Sequence, residues 1–182
     1  MAELLTKKEQ RDLLRIARDT ITNYVSCGKI PVVETASRGL NLESGCFVTI
    51  KQHGHLRGCI GNFVSDKPLY RLVQEMAVSA ATRDPRFYPM KQQDLNDFEL
   101  EISVLSPLEL ITSVDVIKVG KHGIYLAKNS SRGVLLPQVA TEYGWDRETF
   151  LKHTCLKAGL PENAWQKDCE IYIFSALVFG ET

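Results

Sequence analysis

Between Cys46 and Ile60 the chain alternates apolar and polar residues in two successive runs, and the turn joining them is too short for anything but antiparallel pairing. Cys46, Val48 and Ile50 alternate with Phe47, Thr49 and Lys51, Gln52 to His55 form a turn around Gly54, and Leu56 to Ile60 run back as a second strand. A lone hairpin is only marginally stable in water, so its apolar face needs a cover. The next segment supplies one. Leu69, Leu72, Val73, Met76, Ala77, Ala80 and Ala81 form a single stripe at helical spacing, with Pro68 in the first turn and Asp66 placed to cap it. This helix stops before Asp84-Pro85, because the residue preceding a proline is pushed out of the α region.

The same two periods place the remaining elements. Thr6 and Glu9 make a capping box for a helix carrying Leu14, Ala17, Ile21, Tyr24 and Val25 up to Gly28. From Lys29 to Gly45 no period is sustained, which predicts a surface connector that adds little to the core. Leu100, Ile102 and Val104 alternate with Glu99, Glu101 and Ser103, a strand with one wet face that Pro107 ends. Short strands are predicted at Val116 to Val119, Ile124 to Ala127 and Val134 to Leu136. Pro137 opens a short helix closed by Gly144, and Asp146 caps another reaching about Lys157. Ile171 to Phe179 is apolar on both faces and reads as one inner strand.

This order lacks regular βα alternation and predicts an α+β fold, a mainly antiparallel sheet with flanking helices. If the last strand pairs with early elements, residues 1–182 make one domain of two interlocked lobes. The N- and C-terminal segments then form one lobe, and the middle of the chain a smaller one.

Charge and cysteine usage exclude several function classes. Lys plus Arg and Asp plus Glu both number 22, so no net field recruits nucleic acid or an anionic membrane. No 18-residue apolar run occurs, and the start from Met1 has no apolar signal core, so neither export nor membrane spanning is expected. The five cysteines, 27, 46, 59, 155 and 169, are odd in number and contain no Cys-x-x-Cys pair. They predict reduced thiols in a cytoplasmic protein rather than a disulfide framework or a zinc site. His53, His55 and His122 lie in turns that nothing brings together, so no metal is expected. There is no Walker loop, Gly-x-Gly-x-x-Gly or Gly-x-Ser-x-Gly, and no cofactor is expected either.

The densest unusual segment is Leu56-Arg57-Gly58-Cys59-Ile60-Gly61. Strand alternation puts Leu56 and Ile60 on the core face and Arg57, Cys59 and Gly61 on the other. A cation beside a thiol favours the nucleophilic thiolate and can also hold an anion, which makes Cys59 a candidate catalytic residue and Arg57 a candidate binding residue. Gly58 and Gly61 suggest a bend or a close backbone approach, and as candidate binding positions they would let backbone N–H groups approach an anionic substrate or partner. The competing reading is a buried, inert cysteine with an ion-paired arginine. Asp84-Pro85-Arg86-Phe87 fixes a carboxylate and a guanidinium in one turn, either a structural pair anchoring the loop or a pair that binds a substrate or partner, and Asp84 or Arg86 directed at Arg57 or Cys59 would tune the thiol.

With Glu101-Ile102-Ser103-Val104-Leu105-Ser106-Pro107, Leu136-Pro137-Gln138-Val139-Ala140 and Lys157-Ala158-Gly159-Leu160-Pro161, these motifs occur in an order that resembles the AMMECR domain family. Its prokaryotic members are called AmmeMemoRadiSam system protein A. The likeness runs from about Leu13 to Phe179 and implies a two-lobed α+β fold. It also implies a pathway shared with a Memo-like protein and a radical S-adenosylmethionine protein, with the functional site at Leu56 to Gly61. It carries no settled activity. Two expectations follow: a thiol-dependent enzyme or enzyme subunit, or a non-catalytic module that binds a peptide or partner in a groove at that motif.

Overall fold

The computed structural model describes residues 4–181; Met1 to Glu3, part of the segment read for a signal core, and Thr182 lie outside them. The fold is α+β, and the described residues group into two compact units. One takes the chain up to Leu105 and again from Leu177, and the other is Ser106–Ala176.

In the first unit, helix α1 (Lys7–Cys27) starts at the expected capping box. The Thr6 hydroxyl accepts from the Glu9 N–H at 3.3 Å, and the Glu9 carboxylate accepts from the Thr6 N–H at 2.8 Å. The same carboxylate also accepts from the Ser37 hydroxyl at 2.6 Å and the Gly39 N–H at 3.0 Å, clipping the connector to the helix start. The Ser37 hydroxyl and the Thr6 backbone are the main causes that lower the Glu9 carboxyl from 4.5 to about 2. The connector does contribute to the core, contrary to the sequence expectation. Leu40 is buried, and Val33 and Leu42 pack against the core. Its backbone is held by the N–H groups of Leu69 and Tyr70, which donate to the Leu42 and Leu40 carbonyls, so no periodic element announces it.

Strands β1 (Cys46–Gln52) and β2 (His55–Asn62) form the hairpin, and β3 (Glu99–Leu105) pairs antiparallel with the other side of β1. Helix α2 (Leu69–Thr82) packs on β1, β2 and α1, and α1 also meets β3; Val48 and Ile50 of β1 and Ile102 and Val104 of β3 are completely buried. Its N-cap is Pro68, with no side-chain cap bond, so Asp66 does not cap it. With φ fixed near the helical value, the proline starts the turn without a side-chain acceptor. On β3, Glu99 is exposed and Glu101 half-buried, but Ser103 on the same face is buried, so that face is wet only toward its start. Strand β8 (Ala176–Gly180) completes the order β2-β1-β3-β8. Beyond it, the Glu181 carboxylate accepts from Arg18 Nε at 2.7 Å and from the Leu100 N–H at 2.9 Å.

The second unit has the sheet order β4-β7-β5-β6, from β4 (Glu109–Ile111), β5 (Gly123–Lys128), β6 (Ser131–Leu135) and β7 (Glu170–Phe174). Every pair in it is antiparallel. Helices α3 (Pro137–Glu142) and α4 (Arg147–Lys157) lie at the predicted places, and the Asp146 carboxylate accepts from the Thr149 N–H at 2.8 Å. Phe150, Leu151 and Cys155 of α4 join Ile124 and Leu126 in this unit's core.

Two sequence expectations fail here. Val116 to Val119 is not a strand: the Ser113 hydroxyl accepts from the Asp115 N–H at 3.2 Å and starts a 3-10 turn, Val114–Val116. Of these residues only Ile117 is buried, and the strand lies earlier, at β4. The single strand expected from Ile171 to Phe179 is two, broken at Ser175. β7 is an inner strand of the second sheet, and β8 an edge strand of the first. The break is fixed by hydrogen bonds of 2.8 Å exchanged between Ser106 and Ser175. Among the described residues, no helix is long and apolar enough to cross a membrane.

The depressed Glu9 carboxyl predicts a specific acid limb of stability. Because its folded value lies below the unfolded one, its contribution is complete above about pH 4.5 and is lost as pH falls toward 2. Glu9→Gln should lower unfolding free energy at pH 7 by about 1–2 kcal/mol, a partial discount for solvent contact included. Urea titrations at pH 7, 4 and 2.5 should show the gap between parent and variant closing across that range; a constant gap would refute the assignment.

Candidate functional site

The hairpin register contains one irregularity, at the motif singled out in the sequence. Ile50 lies opposite Gly58 and Lys51 opposite Leu56, which leaves Arg57 as an extra residue, a β-bulge. The bulge reverses the alternation assumed for this strand. Ile60 opposes Val48 and packs on the core, as expected, but Leu56 falls on the Lys51 face and is 42% exposed. The sequence placement of Leu56 in the core is therefore wrong, because one inserted residue flips every side chain before it.

Each glycine of the motif marks a close approach. A methyl group on Gly58 would overlap the Ala80 carbonyl oxygen of α2, so helix and strand backbones meet there. On Gly61 it would overlap the Phe47 ring and the Cys46 carbonyl oxygen. Arg57 turns to Asp94, with 3.7 Å between Nη2 and the carboxylate; its side chain is mostly buried, and Nη1 has no hydrogen-bond partner.

Strand β2 is an edge strand, and its outer backbone groups at Cys59 are occupied. The Cys59 N–H donates to Asp84 Oδ2 at 2.9 Å, and the Cys59 carbonyl accepts from Arg86 Nη2 at 3.4 Å. Asp84, only 4% exposed, is held in turn by Arg86 through Nε at 3.0 Å, Nη2 at 2.7 Å and the Arg86 N–H at 3.1 Å. The Arg86 guanidinium, followed by the Cys59 and Arg86 N–H groups, keeps this carboxyl well below the usual carboxylate range despite its burial. Asp84 and Arg86 thus stand where a further strand would pair and close the edge with side chains.

The Cys59 side chain is on the face opposite α2, half-buried, directly across from Thr49. The Thr49 hydroxyl donates to Sγ at 3.2 Å. On the far side of Thr49 lies Glu101, paired with Lys51 at 2.9 Å. The other thiols differ in setting. Burial pushes Cys46 up to about 12 and also raises Cys155 and Cys169, while Cys27 is exposed on α1.

The structure brings Asp84 and Arg86 to Cys59, through the Cys59 backbone rather than its sulfur. It gives Arg57 a partner in Asp94 and separates Gly58 from Gly61 onto opposite faces. Thr49 and Asp94 were not singled out in the sequence. Thr49 was visible as a polar alternate of β1, but only the register sets it beside the sulfur. Nothing local marks Asp94, which reaches Arg57 from a 3-10 turn, Gln92–Asn96.

The AMMECR1 family model matches residues 14–179 of this chain. The protein MK0488 of Methanopyrus kandleri is 44% identical, the match covering 100% of this chain and 92% of the relative. The protein MJ0810 of Methanocaldococcus jannaschii is 42% identical, with 98% and 92% covered. The crystal structure of PH0010, an uncharacterised protein from Pyrococcus horikoshii, superposes with a TM-score of 0.85 at 37% identity, covering 98% of this chain and 94% of that one.

Asp84→Ala should cost about 2–3 kcal/mol, since it strands the Cys59 N–H and releases a guanidinium that can re-solvate. Asp84→Asn, which keeps an acceptor, should cost less. Denaturant titration gives the energies, and hydrogen exchange at the Cys59 amide gives the location. Unchanged exchange in Asp84→Ala would rule out the edge-closing role.

Proposed function

We propose that this chain, which belongs to the AMMECR1 family, acts through the Cys59 sulfur as a nucleophile or thiol donor. In this reading it is an enzyme or enzyme subunit working with a Memo-like protein and a radical S-adenosylmethionine protein. The observation that carries the reading is a half-buried thiol, less enclosed than Cys46 and Cys155, on a backbone fixed at both its N–H and its carbonyl. Such fixing holds a reacting atom in place without reorganisation at each encounter. Arg86, whose side chain is 55% exposed, is the cation bound to the Cys59 backbone and the group best placed to meet an anionic substrate. Arg57, Gly58, Gly61 and Asp84 hold the strand in shape around it. Five free thiols fit a reducing, cytoplasmic setting.

A non-catalytic binding module is the second reading, and exposed apolar side chains beside the motif favour it, Leu56 at 42% and Val64 at 67%. A partner arriving by strand addition at β2 would have to displace the Asp84–Arg86 pair, so this reading rests on the side-chain face rather than the edge.

Iodoacetamide labelling of the folded chain, followed peptide by peptide, separates the two. Cys59 should be modified faster than Cys46 and Cys155, both fully buried, and Cys59→Ser should abolish pathway function in the native cell while the chain stays folded. Labelling as slow as at Cys46, with function intact in Cys59→Ser, would overturn the thiol reading. Slow labelling with lost capture of the Memo-like protein would favour the binding module.

A further inference from the structure

The charged side chains around Cys59 each face an opposite charge. On its own sheet face Lys51 is paired with Glu101, at the strand edge Arg86 is paired with Asp84, and Arg57 is turned to Asp94. The group hydrogen-bonded to the sulfur itself is a neutral dipole, the Thr49 hydroxyl. We propose that Thr49 is a positioning residue for Cys59, its O–H aimed at Sγ to hold the sulfur in one orientation on the sheet face. This deepens the thiol reading above and rests on it.

Three features make the contact a built one. Thr49 lies in β1, held between β2 and β3, so its backbone is paired on both sides. It is directly opposite Cys59 in the register, the closest placement a sheet gives two side chains. Being β-branched, it has a stiff χ1, and the rotamer adopted sends the hydroxyl toward the sulfur. A hydroxyl has one proton to give, and given to Sγ it ties the sulfur to a residue whose own backbone is fixed on both sides. Valine has the same shape without that proton. Serine has the proton without the methyl.

The test compares Cys59 with itself in the parent, Thr49→Val, Thr49→Ala and Thr49→Ser, alkylated with iodoacetamide from pH 6 to pH 10. In this reaction the sulfur electron pair forms the S–C bond, iodide leaves and the thiol proton passes to buffer. Thr49→Val should react roughly tenfold more slowly than the parent across the range, the sulfur having lost the bond that orients it. Thr49→Ser should stay within about twofold of the parent, and Thr49→Ala should behave like Thr49→Val. Exposed Cys27 serves as the internal reference in every sample.

A Thr49→Val profile that overlays the parent would overturn the proposal, as would Thr49→Ser reacting as slowly as Thr49→Val, which would assign the effect to packing. If Thr49→Val does not fold, the Ala and Ser pair gives the same decision. The outcomes also separate the two claims. Slowed alkylation in Thr49→Val alongside a fully functional Cys59→Ser would sink the proposed function and leave the Thr49 contact standing, while overlaid profiles with a dead Cys59→Ser would sink only Thr49.

Discussion

A carboxylate with almost no solvent contact holds the candidate site together. Asp84 is buried as an ion, and such burial is tolerated only when every oxygen finds a donor. Here the donors are the Arg86 guanidinium, the Arg86 N–H and the Cys59 N–H, so one side chain joins the turn after α2 to the outer edge of β2. The Asp84-Pro85-Arg86 order matters for this geometry. The proline stiffens the turn, and the arginine two positions on reaches back over the carboxylate it has to neutralise. An arginine supplied from a distant segment would give the same charge without the same register.

The close contact of Gly58 with Ala80 supplies the second fixed point. Between it and Asp84, α2 and β2 are tied at successive residues, 58 and 59, on perpendicular sides of the strand. The bulge at Arg57 then marks where regular pairing with β1 is interrupted. Arg57 has a distant partner and one buried nitrogen without a hydrogen bond, an arrangement that costs stability. Bulges and under-satisfied polar groups gather where a fold serves something other than its own stability.

Much of this was legible before the structure. The capping box at Thr6, the α2 stripe, the helix starts at Pro137 and Asp146 and the closeness of Asp84 to Arg86 in one turn all follow from local chemistry. What was missed depends on partners remote in sequence. The burial of Leu40 comes from docking on the start of α2, and the outward face of Leu56 comes from a bulge defined only by its pairing with β1. The break at Ser175 is hidden because both flanking strands are apolar, and only hydrogen bonds to Ser106 reveal it. Thr49 belongs to the same class. A threonine in a strand is ordinary, and its meaning lies in what the neighbouring strand puts opposite it.

The place of β8 has a consequence for how the chain is made. Its sheet holds strands from early in the sequence, yet its last edge is delivered only after Ser106–Ala176 has been synthesised. The bond between Arg18 and Glu181 spans 163 positions. On a ribosome, β1, β2 and β3 therefore emerge with one edge of β3 bare while the whole second unit follows, and that unit, contiguous in sequence, has everything it needs to fold first. Its folding brings the ends of the intervening segment under control and shortens the effective loop that β8 must close. Until then the bare edge of β3 is a surface to which another nascent chain can pair, so the risk of aggregation is concentrated in the interval before the last few residues arrive.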